Sequence, residues 1–150
     1  MVSASNKIRL GNPSVTVIEG QVDFTFTSDM TKKENFQPVD GEEVLRKLST
    51  LNLTSWNYIG HDPKQFRHYG PMGQEFFVAF GNDAIGTIGS LTTLTASDVA
   101  GILMSAVQAL ERRSAEQSAA IERLRSENAA LQGRLQALEA VQAREALAQR

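Results

Sequence analysis

From Val107 to Leu138 the chain repeats a spacing of three and four that only a helix with a partner can use. Val107, Leu110, Ser114, Gln117, Ile121, Leu124, Asn128, Leu131, Leu135 and Leu138 fall on one seam. A strict seven-residue repeat keeps that seam on one side of a slightly underwound helix, so the seam must meet another helix. With Ile121 at position a, Leu124, Leu131 and Leu138 take position d. Asn128 then falls at a, where a polar side chain fixes register at some cost in stability. Ser114 and Gln117 weaken the seam near its start. Arg134 at g and Glu139 at e are placed to pair between neighbours, worth a few tenths of a kcal/mol when exposed (~0.3). No second segment of this chain is long enough to cover such a helix. The opposing reading, a long solvated helix packed on its own domain, is disfavoured because the apolar stripe is narrow and outruns the domain.

Composition divides the 150 residues sharply. All ten aromatic residues lie between Phe24 and Phe80, and beyond Gly101 the only charged residues are Glu and Arg. An aromatic-cored region is followed by a rod. The net charge of −2 and the lack of a basic patch argue against a nucleic-acid partner. The absence of cysteine excludes disulfides and thiolate metal sites and leaves the compartment open. No apolar run approaches the ~20 residues of a membrane helix, and Met1 to Leu10 is too polar for a secretory signal.

Along the chain, Ile8 and Leu10, Val15 and Val17, then Val22, Phe24 and Phe26 alternate with polar neighbours and are broken by Gly11-Asn12-Pro13 and Gly20. This pattern predicts three short strands within residues 7–27. They read as the last rungs of a larger β structure, because so few residues bury little surface alone. Ser28 to Asn35 is polar and predicts a turn. Asp40 followed by Glu43 resembles a capping box and opens a short helix carrying Val44, Leu45 and Leu48. Leu51 to Ile59 is rich in strand formers, and Gly60-His61-Asp62-Pro63 is a turn. Pro71 suits a first helical turn, Met72, Phe76 and Phe80 share a face, and Gly81 is a stop. Residues 82–94 read as a loop or hairpin. Thr95 is placed to cap the final helix, with Asp98 matched to its dipole.

The one candidate for chemistry is Ser28-Asp29-Met30-Thr31-Lys32-Lys33-Glu34-Asn35. It sets a hydroxyl five residues before a lysine. A neutral lysine can activate a serine without histidine, provided it is removed from water. Residues five apart do not face each other on a helix, so a turn must bring them together. The bland reading is a turn former beside solvated lysines. Elsewhere, His61 and His68 are too few for a metal site. Gly86-Thr87-Ile88-Gly89 lacks the lysine of a phosphate loop. Trp56, Phe76, Phe77 and Phe80 read as core.

Ser28-Asp29 followed by Lys33-Glu34-Asn35-Phe36-Gln37-Pro38-Val39 resembles the opening of the intramolecular chaperone auto-processing domain. That family closes phage endosialidase tailspikes and other tail fibres and occurs in the myelin regulatory factor. Its opening motif is S-D-x-R-x-K-x-N-I. Leu45-Arg46-Lys47-Leu48, Ser55-Trp56-Asn57-Tyr58 and Arg67-His68-Tyr69-Gly70-Pro71-Met72-Gly73-Gln74-Glu75 are similar to its later blocks, and the likeness runs to about Leu138. The resemblance implies a domain that trimerises, guides folding of an upstream β-rich fibre and cuts itself off before the motif serine. It implies scission at Thr27–Ser28, Ser28 as nucleophile and Lys33 as general base, with Asp29, Asn35 and His68 in support. Thr31 stands where the family carries arginine, and Gly73 where it carries alanine.

The expected architecture is α+β. Residues 1–27 form the β-rich end of a fibre, 28–98 a small mixed chaperone domain, and 99–150 a helix of a parallel trimeric coiled coil. The expected partners are two further copies of the chain and the upstream fibre of the same polypeptide, with no nucleic acid, membrane, metal or cofactor. The expected setting is a virion tail fibre, the bacterial cytoplasm or a cell-surface fibre. Two other readings stand beside self-cleavage: a permanent trimeric cap or stalk, and a coiled-coil adaptor for another protein.

Overall fold

The computed structural model describes Ile8 and residues 10–148. In chain order it contains a 3-10 turn at Met30–Lys32, helix α1 at Gly41–Leu48, strands β1 at Thr54–Trp56 and β2 at His68–Gly70, helix α2 at Gly73–Phe80 and helix α3 at Ala96–Ala148. The fold is mixed α and β, with a small sheet and a dominant C-terminal helix. No helix among the described residues is long and apolar enough to cross a membrane.

Contacts group the chain into two compact units that do not follow sequence order. One gathers Val39–Arg46 with the chain from Ala96 onward; the other holds the residues before Val39 and Lys47–Thr95.

In the unit built on α3, the start of α1 is fixed by Asp40. Its Oδ1 accepts from the amides of Glu42 and Glu43 at 2.9 and 3.2 Å. Those two acidic residues stand in the first turn, where the helix dipole favours them. Gly41 permits a very close approach. A Cβ there would lie 2.8 Å from the Ala109 Cβ and 3.2 Å from the Ser105 carbonyl oxygen. Val44, Ala106 and Ala109 are the buried apolar residues of this unit, and Arg113 donates to Glu42 in an ion pair beside them. In the heptad frame Ser105, Ala106, Ala109, Arg112 and Arg113 occupy positions f, g, c, f and g. The contact with α1 therefore uses the outer side and one flank of α3, with Ala106 and Arg113 at g beside the seam. The seam stays open: Val107 is 63 %, Ile121 48 %, Leu124 55 % and Leu138 62 % exposed.

In the other unit, β1 and β2 pair antiparallel with Thr54 opposite Gly70, Ser55 opposite Tyr69 and Trp56 opposite His68. Between them the chain turns at Tyr58–His61, where the His61 amide donates to the Tyr58 carbonyl at 3.0 Å. Gly60 at φ +90° supplies the left-handed backbone that this turn requires. Phe76 and Phe80 lie on successive turns of α2, are both buried and stack at 5.2 Å. Lys47 lays its ammonium 5.5 Å from the Phe80 ring centre. Glu75, in the first turn of α2, accepts from the backbone and side-chain nitrogens of Asn52 at 3.3 and 2.9 Å. That pair ties the segment before β1 to the helix.

Four expectations need correction. The strands expected within 7–27 are not formed among the described residues. The segment is extended or bent and its apolar side chains are exposed, Val22 at 87 % and Phe24 at 81 %. Strands need neighbours for their amide groups and for their apolar face, and one chain offers them none; Lys7 and Arg9 lie outside the described residues. Leu51 to Ile59 yields only three residues of strand, because it pairs with the short His68–Gly70 segment. Pro71 does not enter α2: Met72 is the N-cap, and its carbonyl accepts from the Phe76 amide at 3.0 Å. Met72 therefore does not share the helical face of Phe76 and Phe80. The final helix runs as expected from just after Thr95 as far as Ala148, and Gln149 and Arg150 lie outside the described residues.

The close approach at Gly41 gives a contrast between two glycines. Gly41→Val should destabilise the chain by about 1–3 kcal/mol through overpacking. Gly133→Ala, where nothing lies within 4 Å of the added carbon, should stabilise it by up to about 1 kcal/mol. Thermal unfolding followed by circular dichroism at 222 nm separates them; equal melting temperatures would refute the role given to Gly41.

Candidate functional site

The segment after Thr27 folds into the turn that its composition predicts. Asp29 is the N-cap of the 3-10 turn, and its Oδ1 accepts from the Thr31 amide at 2.9 Å. The amides of Lys32 and Lys33 then donate to the carbonyls of Asp29 and Met30, each at 3.1 Å. Lys33 leaves the turn in extended conformation (φ −126°, ψ 153°). This reversal returns its side chain to the start of the turn, and Lys33 Nζ donates to Ser28 Oγ at 2.7 Å. Two residues that cannot meet on an α-helix are joined by one tight turn. Both are exposed in the single chain.

The Asp29 carboxyl is held below its ordinary value by the Thr31 backbone hydrogen bond first, and the Thr31 side chain adds to the effect. Asp29 thus shapes the turn through backbone amides and makes no bond to Ser28 or Lys33. Asn35, two residues beyond Lys33, adopts the left-handed backbone at φ +57°. Asparagine tolerates that conformation better than most side chains. With Asp83 and Ile85–Ile88 it lines a shallow cavity of about 230 Å³. Asp83 Oδ1 organises the facing loop by accepting from the amides of Ile85 and Gly86 at 2.8 and 2.7 Å. Its carboxyl is held below the ordinary value by the Gly86 backbone bond first and that of Ile85 next.

His68 is engaged in aromatic packing. Its ring lies 4.7 Å from Trp56, tilted by 31°, and 5.6 Å from Tyr58 edge to face. It is an aromatic packing residue on β2. Beside it, Arg67 donates to Asn57 Oδ1 at 3.0 Å and to Ser55 Oγ at 2.7 Å, clamping the two sides of the β1–β2 connection. This clamp was not read from the sequence, although its members lie in the two blocks quoted above. Their pairing depends on strand register, which no local pattern carries. Among the described residues no group of three or more His, Asp or Glu is placed to hold a metal ion.

Residues 28–83 match the model of the Peptidase_S74 family, described as chaperone of endosialidase. The match opens on Ser28 and includes the 3-10 turn, α1, the β1–β2 sheet, α2 and Asp83. It is narrower than the likeness to about Leu138 and stops ahead of α3. No curated protein matches the chain.

The Asp29 cap has a definite acid dependence. A carboxyl with a lowered folded value stabilises the turn above its unfolded value, and that stabilisation is lost as pH falls through the folded value. The Thr31 amide resonance should therefore titrate with a midpoint below that of an unstructured aspartate. A midpoint at or above the ordinary value would show that the cap does not form. Asp29→Asn should remove the titration and keep most of the turn, since asparagine also caps.

Proposed function

We propose that this chain is a C-terminal intramolecular chaperone whose residues 28–83 form a chaperone-of-endosialidase domain. In this reading α3 joins three copies in parallel. The domain assists folding of a β-rich tail-fibre or tailspike-like segment ahead of it, then frees itself by scission at Thr27–Ser28. The observation that carries the reading is the 2.7 Å contact between Lys33 Nζ and Ser28 Oγ at the first residue of the family match.

The open seam supports assembly. Ile121, Leu124, Leu131, Leu135 and Leu138 are each about half exposed or more, on a helix of 53 residues. Full burial of such a side chain from water is worth about 1.5–3 kcal/mol, so covering the exposed half of each contributes roughly half of that, and the seam as a whole favours a partner helix over water. The contact with α1 leaves the a and d positions themselves open, because it uses positions c, f and g. A parallel trimer also explains the exposed N-terminal apolar residues: strands that find no neighbour in one chain meet two further copies at high local concentration.

Assembly and chemistry are coupled in this reading. Lys33 must accept the Ser28 proton, which requires a neutral amine and hence loss of water around it. The single chain leaves both side chains in solvent, so burial has to come from neighbouring copies or from the folded fibre. Ser28 Oγ then gives its proton to the Lys33 amine and adds to the Thr27 carbonyl carbon. The Ser28 amide nitrogen leaves with a proton, and an ester joins Thr27 to the Ser28 side chain. Water hydrolyses that ester, leaving a carboxylate on Thr27 and a new N-terminus at Ser28. Asp29 holds the turn and Asn35 its exit; His68 supports the sheet. One feature favours a second reading, a permanent trimeric cap without scission: Thr31 replaces the arginine of the family motif.

Two measurements test these readings. Light scattering should give a trimer, three times the 16.4 kDa chain mass in the uncut Ser28→Ala variant; a monomer would remove the basis of both. Intact-mass analysis of fresh protein should reveal a fragment starting at Ser28, lost in Ser28→Ala and in Lys33→Ala. A trimer that stays full length for days decides for the permanent cap, and processing that survives both substitutions eliminates the serine–lysine pair.

A further inference from the structure

One contact reaches across the proposed scission point. Upstream of it, residues 12–15 form a tight turn of their own: the Ser14 amide donates to Asn12 Oδ1 at 2.9 Å, and the Val15 amide to the Asn12 carbonyl at 3.1 Å. Gly11, at φ +78°, lies so close beneath Val15 that an added Cβ would meet it at 2.7 Å. Downstream, the Tyr58–His61 turn is equally built. Asn57 Nδ2 donates to the carbonyls of Tyr58 and His61 at 3.0 and 3.4 Å, and Arg67 holds Asn57 in turn. The two turns meet. Asn12, Pro13 and Val15 line one cavity with Tyr58, Ile59 and His61, and His61 Nε2 lies 3.4 Å from the Pro13 carbonyl oxygen. A carbonyl only accepts, so Nε2 carries the hydrogen. Val15, at 42 %, is the least exposed of the large apolar side chains described between Ile8 and Phe26.

We infer that the Tyr58–His61 turn is a docking site for the Asn12–Val15 turn, a clasp through which the domain grips the segment upstream of Ser28 only while the two are covalently joined. Its role toward a client rests on the function proposed above; the contact itself does not. Both surfaces are preformed, so little conformational entropy opposes docking. The contact is small, with one long hydrogen bond and one half-covered valine, and it is weak between separate molecules. Residues 16–27, which join the two sides, are exposed and carry no helix or strand. A short flexible link of this kind supplies an effective concentration on the order of millimolar. Scission at Thr27–Ser28 removes that link and converts the clasp into a bimolecular contact, which dilution dissolves. Cutting the bond is then itself the release signal, and no conformational change in the domain is needed.

The test uses the full chain with a protease site replacing Gly20–Asp23, so that the cut is made by added protease and does not depend on self-processing. The chain has two histidines, and the His61 ring resonances are identified by their loss in His61→Ala. They should shift when the upstream fragment is cut and removed by dilution, and return when a peptide of residues 10–19 is added at millimolar concentration. Val15→Asp in that peptide should weaken the return about tenfold or more, since it places a charge against an apolar wall. His61 resonances unmoved by both the cut and Val15→Asp in the full chain would overturn the docking site. A fragment that stays bound through dilution to micromolar would overturn release by scission. A chain that never processes itself would leave both outcomes readable and bear only on the function proposed above.

Discussion

The unsatisfied apolar seam of α3 is the constraint on which the other features depend. Among the described residues nothing covers the seam of this 53-residue helix along its length. Helices in proteins gain most of their stability from packing of an apolar face, and here that face looks into solvent from Val107 to Leu138. The molecule fixes α1 off the a and d positions, on positions c, f and g, through Gly41, Val44 and the Glu42–Arg113 pair. The geometry thus resolves a possible conflict. Had α1 covered Val107 and Leu110, self-packing and association would exclude each other. Because it covers Ala106 and Ala109, one helix serves both.

The same logic bears on the site. The turn that joins Ser28 to Lys33 needs no tertiary support: Asp29 caps it and two backbone bonds close it. Its geometry is local and its exposure is not. A serine–lysine pair in water is an ordinary hydrogen bond, and only loss of solvent makes the amine a base. In the proposed mechanism the local sequence sets the alignment, and assembly supplies the environment. In that mechanism such a division would prevent cutting before the fibre exists, since an unassembled chain would hold the right atoms in the wrong medium. It also matches folding order. Helical contacts are local and form fast, whereas intertwined strands bring distant residues together and form slowly.

How far the sequence could be read follows from the range of each interaction. The Asp40 cap, α1, the Gly81 stop and α3 depend on neighbours within a turn, and their residues announce them. The Ser28–Lys33 approach was also legible, because the requirement for a turn between residues five apart is met by Asp29. What escaped was non-local. β2 carries the unremarkable segment His68-Tyr69-Gly70 and is a strand only because Thr54–Trp56 lies beside it. The Arg67 clamp on Ser55 and Asn57 depends on that register. The error at Pro71 has a related cause: proline is compatible with a first helical turn, yet the capping geometry falls one residue later at Met72. The strands expected before Thr27 show the limit from the other side. The alternation of Val15, Val17, Val22, Phe24 and Phe26 describes faces that need neighbours, and a single chain contains none of them.

His68, a supporting position by resemblance, is packed in the single chain against Trp56 and Tyr58. Tyr58 also meets His61 edge to face at 5.6 Å, and His61 meets Phe66 at 5.8 Å. His68, Trp56, Tyr58, His61 and Phe66 therefore form a continuous run of rings from the sheet to the turn that receives Pro13. Aromatic pairs of this kind contribute about 0.5–1.5 kcal/mol each beyond the area they cover, enough to hold a solvent-facing turn in one shape. This run of rings links His68 to the Tyr58–His61 turn, so a substitution at His68 would act first on the shape of that turn.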